Sequence, residues 1–248
     1  MSTAPYTRYE LLRTIRNRRV IVLSLAFPVI LYLAIAGPNR NVTDFSGTGI
    51  SMPLYFMVGL AAFATMNAML ASGGRIAADR AVGWNRQLRV SPLPPLSYIG
   101  TKVLTGYLLA GLSIVVLYAC GVALGVSLPA GCWLAMTGLL LVGLIPFAAL
   151  GIALGHWLSS DSIGPAVGGL VAVFALLGGS WFPIASHGFM HTLAQALPSY
   201  WLVQASRAGI GAGGWGIHGW LVMAIWTVAL TRLAMRAYRQ DTEKSSSL

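Results

Sequence analysis

Residues 53–72 read PLYFMVGLAAFATMNAMLAS, 20 positions without one charged side chain. A helix of about that length spans the roughly 30 Å hydrocarbon layer of a bilayer. Five further apolar runs flank it, at 20–36, 103–126, 132–155, 163–182 and 215–235. The expected fold is therefore an all-α integral membrane protein of six transmembrane helices, forming a single domain over residues 1–248. Pro28 lies inside the first and shortest run, so tilt or an unwound end is expected there. Pro146 predicts a kink in the fourth.

Composition agrees. Of 248 residues, 56% are hydrophobic and 9% charged, with mean hydropathy +0.73. A soluble domain carries nearer a quarter charged residues, because water must wet its surface. The net charge of +10 does not mark a nucleic-acid binder, because the cations lie in short clusters between apolar runs. Five precede the first run (Arg8, Arg13, Arg16, Arg18, Arg19), and five lie between the second and third (Arg75, Arg80, Arg86, Arg89, Lys102). Four close the chain (Arg232, Arg236, Arg239, Lys244), leaving only Arg40 and Arg207 on the other side. Basic loops stay inside the cell, so both termini are expected in the cytoplasm of a multi-pass plasma-membrane protein contacting anionic lipid.

Residues 73–101 read as a cytoplasmic basic connection, and 1–19 as an N-terminal interfacial helix. Residues 184–214 are too apolar for a solvated loop and are expected to form re-entrant extracellular helices between spans five and six. The tail 245–248 is expected to be disordered, and no cleavable signal is evident. Small residues four apart (Gly121 and Gly125, Gly151 and Gly155) predict close helix approach within the subunit. Cys120 and Cys132 read as packed apolar residues, since nothing in the spacing brings their Cβ atoms together.

Spans one to five carry no ionisable group in their interiors, and Arg232 lies in the last turns of the sixth. An ion-coupled carrier needs a titratable or ion-binding group near midplane, which disfavours that class. The intramembrane polar residues Asn67, Thr105, Ser113, Thr137 and Thr227 are expected to bond neighbouring helices, with Asn67 a candidate for lining a passage. No GxxxxGK[ST] loop occurs, so any ATP is bound elsewhere. His187 and His191 share a helical spacing but lack the Glu of a zinc-hydrolase motif, so no metal or other cofactor is expected. Gly178-Gly179-Ser180 matches a loose GxS protease pattern with His218 as a distant base, a weak match in a chain with 29 glycines. No catalytic residue is assigned.

Two segments carry a resemblance. Gly178-Gly179-Ser180-Trp181-Phe182-Pro183 is followed by Leu193, by Leu197-Pro198-Ser199-Tyr200-Trp201 and by Ala205-Ser206-Arg207. After the second span comes Asp79-Arg80-Ala81-Val82-Gly83-Trp84-Asn85-Arg86-Gln87-Leu88-Arg89-Val90-Ser91-Pro92-Leu93. In order and spacing these resemble the ABC-2 permease family of drug and polysaccharide exporters. Val82 stands where the family has an acid and Trp84 where it has Thr. The resemblance implies a permease subunit of an ATP-driven exporter, of the kind that confers efflux and antibiotic resistance. Such a subunit moves hydrophobic or amphipathic drugs or lipids, and ATP is hydrolysed on a separate ABC ATP-binding subunit. It also implies pairing with a second permease copy or a sister permease. Arg80, Gly83, Trp84, Arg86, Leu88 and Pro92 would dock the ATPase. Gly178, Gly179, Phe182, Pro183, Pro198 and Arg207 would form a re-entrant gate. Trp84 and Leu88, four apart, share a helical face flanked by arginines, which independently suits a partner's groove. The alternative is a secondary carrier or small membrane channel.

Overall fold

A computed structural model describes residues 4–83, 94–184, 187–207 and 215–246. Every regular element among them is a helix. In chain order these are α1 (Ala4–Arg16), α2 (Arg18–Ala36), α3 (Met52–Ala81), α4 (Pro95–Ala123), α5 (Ala130–Gly143), α6 (Ile145–Trp157), α7 (Ser160–Leu177), α8 (Phe189–Gln195), α9 (Pro198–Arg207) and α10 (Gly216–Ser246). Among the described residues, five stretches are long and apolar enough to cross a membrane: Met52–Ala81, Leu96–Ala123, Ala130–Trp157, Ser160–Leu177 and Gly216–Asp241. The first expected span falls on α2, whose described apolar part, Leu25–Ala36, is shorter than a bilayer requires.

The centre of the bundle is α3. Apolar or small residues lie on all its faces, from Leu54 through Ala77, and a helix apolar all round must be surrounded. It packs against α2, α4, α6, α7 and α9. It meets α6 backbone to backbone. A methyl group on Gly73 would collide with the backbone of Gly151, and one on Gly155 with the carbonyl of Gly73. Loss of side chains on both helices lets the two backbones touch, which supplies dispersion contacts where lipid offers no hydrophobic drive.

Several helices run beyond their expected limits. The second continues to Ala81 and places Arg75, Asp79 and Arg80 on helix rather than in a loop. The third begins at Pro95, where proline's fixed φ suits a first turn. The connection expected over 73–101 thus contracts to 82–94. Charged residues prolong these helices because each finds a partner at the same end of the bundle. Helix α10 also runs through Ser245 and Ser246, so the tail expected to be disordered is helical to that point.

Pro146 acts as expected: the fourth run breaks at Leu144 into α5 and α6. The Tyr107 hydroxyl donates to the Leu141 carbonyl beside the break, at 3.1 Å, covering a backbone acceptor that lipid could not. Gly121 approaches Met57 of α3 as the spacing implied. Gly125 does not pack; at φ 93° it lies just past α4 and closes it, with Val126 N–H donating to Gly121 O at 2.9 Å. The polar spans also differ from expectation. Thr105, Ser113 and Thr137 donate to carbonyls four residues back on their own helices, which satisfies the hydroxyl without a neighbour. Both cysteines are free.

Replacing Gly73 by Leu should force α3 and α6 apart and cost about 1–3 kcal/mol or more by overpacking. Thermal unfolding in detergent should show a lowered midpoint. Gly111→Ala, where an added methyl meets nothing within 4 Å, should show none.

Candidate functional site at the charged end of the bundle

Two ionic clusters hold the end of the bundle at which α3 finishes. In the first, Lys102 of α4 is enclosed, its side chain 2% exposed. Its Nζ donates to Glu10 Oε1 of α1 at 2.6 Å and lies 2.7 Å from Asp79 Oδ2 of α3. Tyr98 donates its hydroxyl to the same Asp79 oxygen at 2.8 Å, and its ring lies beneath the ammonium. Thr7 and Thr101 hydroxyls meet at 3.0 Å, and Arg75 donates to Thr14 Oγ1 at 2.8 Å. One lysine therefore ties the N-terminal helix to both α3 and α4. A buried ammonium is tolerable only with such partners.

The second cluster centres on Asp241 of α10. Arg80 reaches its Oδ1 at 2.8 Å, and His156 Nδ1 stands 3.0 Å from its Oδ2. Arg80 also donates to the carbonyls of Gly155 and Leu158, at 3.2 and 3.3 Å. These are carbonyls left open where α6 ends, a position that favours a cation. The Tyr238 ring packs edge-on against His156. This cluster joins α3, α6 and α10.

Two spaces adjoin the first cluster. A polar cavity of about 150 Å³ is lined by Glu10, Arg13, Thr14, Asn17, Arg75, Ala78, Asp79 and Lys102. An apolar groove of about 360 Å³ runs between α3 and α7, along Asn67, Ala71, Gly74, Ile163 and Gly168. Asn67, the candidate passage residue, thus faces a groove rather than a packed neighbour.

At the far end, α3 meets the turn after α7. Tyr55 donates its hydroxyl to the Gly179 carbonyl at 3.0 Å, and a methyl on Gly59 would collide with the Ser180 backbone. Indole N–H groups secure the next segment: Trp201 donates to Gln195 O, Trp215 to Trp201 O and Trp226 to Ala196 O, at 2.7–2.8 Å. Helix α9 packs on α3, α5, α7 and α10, with Leu202 and Val203 enclosed.

The sequence profile described as "ABC-2 type transporter" matches residues 6–210. The chain belongs to the ABC-2 type transporter family. Over 211 residues it is 28% identical to the Bacillus subtilis (strain 168) protein named "Putative transport permease YvfS", covering 83% of this chain and 81% of that one. It is a multi-pass plasma-membrane permease of an ABC transporter.

The two motif segments of the permease lie at opposite ends of α3. Gly178 and Gly179 form the turn against Tyr55, Gly178 pressed onto Ser199 and Gly179 at φ 76°. Pro198 starts α9 and is buried, Phe182 is exposed, and Pro183 is partly buried. Arg207 closes α9, and its side chain falls outside the described set. At the charged end, Gly83 adopts φ 72° and stops α3, its N–H donating to Arg80 O at 3.0 Å. Arg80, expected to meet the ATPase, places its guanidinium on Asp241 and on the Gly155 carbonyl. Trp84, Arg86, Leu88 and Pro92 lie outside the described residues. Ser180 Oγ is buried without a hydrogen-bond partner among the described residues, while His218 is exposed, so these two are not hydrogen-bonded to each other. His191 Nε2 lies 2.9 Å from the Gln195 side-chain amide.

Sequence reasoning missed Glu10, Asp79, Lys102, His156 and Asp241. Three of the chain's six acidic residues sit in these clusters. In so basic a chain, that scarcity was the available signal that each acid had a specific partner.

Lys102→Met should leave two carboxylates enclosed without their cation and cost about 3–5 kcal/mol. Thermal unfolding in detergent measures it, and neutralising both acids in that background (Glu10→Gln with Asp79→Asn) should recover part of the loss.

Proposed function

We propose that this permease is the membrane-spanning subunit of an ATP-driven exporter whose ATP is bound and hydrolysed on a separate subunit. Its cargo is a hydrophobic or amphipathic drug or lipid. The observation that carries this reading is that α3 stops at Gly83 and α4 starts at Pro95, both at the charged end of the bundle, with residues 84–93 between them in the sequence. Any displacement of that segment is applied at once to the enclosed helix α3 and to its neighbour α4, which Lys102 locks to it. A partner pulling on the segment therefore moves the core of the bundle.

The topology proposed with it has six crossings. Helix α2 supplies the first, its short apolar part accommodated by tilt or local thinning of the bilayer. The fourteen cations of the three clusters, the segment 84–93 and both termini face the cytoplasm. Helix α1 lies along the inner interface. Helices α8 and α9 enter from the outside, with Gly178, Gly179, Phe182, Pro183, Pro198 and Arg207 forming a gate around the outer end of α3. Two permeases, identical or sister chains, enclose the pathway between them, with Asn67 facing it. An uncharged cavity suits apolar cargo better than a small ion. The ATPase contact is made by Trp84, Arg86, Leu88 and Pro92. Arg80 and Gly83 act indirectly, by fixing the helix end from which that contact extends.

Truncating an aromatic anchor at an interface costs about 2 kcal/mol, so Trp84→Ala should weaken retention of the co-expressed ATPase roughly thirtyfold. The variant should still insert in the membrane, and cargo-stimulated ATP hydrolysis should be lost. Undiminished retention and stimulation in that variant would refute docking at this segment.

A further inference from the structure

The polar cavity beside Glu10 and the apolar groove beside Asn67 are two compartments of one space, because Arg75 and Ala78 line both. Their chemistries differ sharply over a short distance. On the polar side, three cations (Arg13, Arg75, Lys102) face two carboxylates (Glu10, Asp79), leaving one positive charge over. Lys102 is held by both acids, and Arg13 approaches Glu10 only loosely, at 3.7 Å. Arg75 carries the surplus. It is partly buried on a membrane-spanning helix near Glu10 and Asp79, yet its hydrogen bond is to a neutral hydroxyl, Thr14, and among the described residues both carboxylates pair with other cations. A guanidinium has five N–H donors, and its planar fork suits the oxygens of a phosphate. A partly buried cation at the end of a membrane-spanning helix normally has a counter-charge.

On the apolar side, the α7 wall is built from Ile163, Gly164, Val167 and Gly168. Methyl groups added at Gly164 or Gly168 would meet nothing within 4 Å, so that wall is open rather than closed by a neighbouring helix. The groove follows α3 from Arg75 back to Asn67, two turns deeper in the bundle.

We propose that this space binds one anionic phospholipid from the leaflet at the charged end, as a lipid held by the permease and independent of what it exports. The singly charged phosphodiester sits in the polar cavity against Arg75 and neutralises the surplus charge. An acyl chain runs down the groove over Gly164 and then Gly168, and ends short of Asn67, which is left to face the pathway. The lipid thereby bridges α1, α3 and α7.

Native mass spectrometry of the purified permease tests this, after exchange into mixed micelles of detergent with dioleoylphosphatidylglycerol or dioleoylphosphatidylcholine. The wild-type chain should retain one phosphatidylglycerol about tenfold more strongly than phosphatidylcholine. Arg75→Gln should abolish that preference and Arg75→Lys should keep much of it. Gly168→Leu, a substitution into open space that leaves the charges untouched, should lower retention of the lipid by filling its chain groove, so the proposal stays testable even if Arg75→Gln fails to fold. Equal retention of the two lipids by the wild type overturns the proposal, as does unchanged retention in Gly168→Leu or an unchanged preference in Arg75→Gln. Displacement of phosphatidylglycerol by millimolar sodium phosphate would assign the cavity to a free anion and overturn it equally. None of these outcomes depends on ATP or on transport.

Discussion

Lys102 sits between Glu10 and Asp79 with almost no access to solvent, and much of the architecture follows from that contact. A charge removed from water must be matched at close range, or the group cannot remain there. Among the described residues, the bundle meets this demand at the end where α3 finishes. Lys102, Glu10, Asp79 and Arg75 gather α1, α3 and α4, while Arg80, Asp241 and His156 gather α3, α6 and α10. Consecutive residues of α3, Asp79 and Arg80, serve the two clusters on different sides of the helix. The last turns of α3 thus become the common joint of helices that are far apart in sequence.

Away from that joint the bundle is held by other means. In the middle, glycine backbones touch between α3 and α6, since apolar side chains gain little from leaving lipid. At the far end, indole N–H groups and the Tyr55 hydroxyl cover exposed carbonyls around the 178–201 segment. Helix α3 is the element common to all three zones. A load applied beyond Gly83 would act on a helix that packs against five others along its length, which is a physical basis for relating events at one membrane face to those at the other.

The sequence made the apolar runs legible, together with the Pro146 break and the close approach of Gly151 and Gly155. Periodicity and length suffice for those features because lipid imposes them on the chain directly. It hid how far the helices extend. Arg75, Asp79 and Arg80 look like loop residues when read alone, and only their partners, 19 to 161 positions away, make a helical position tolerable. Pairs such as Lys102 with Glu10 leave no local pattern at all. The outer motif was legible as a motif, whereas the packing of Gly178 on Ser199 and of Tyr55 on Gly179 required coordinates. Hydroxyls misled in the opposite direction: Thr105, Ser113 and Thr137 satisfy themselves on their own helices.

The account rests on a permease that yields work only when another subunit handles the nucleotide. Its most direct measurement is cargo flux in proteoliposomes holding this chain with and without its ABC ATPase, under ATP or under an imposed proton or sodium gradient. The account predicts flux with both proteins and ATP, and none from this chain alone under either gradient. Gradient-driven flux by this chain alone would contradict it.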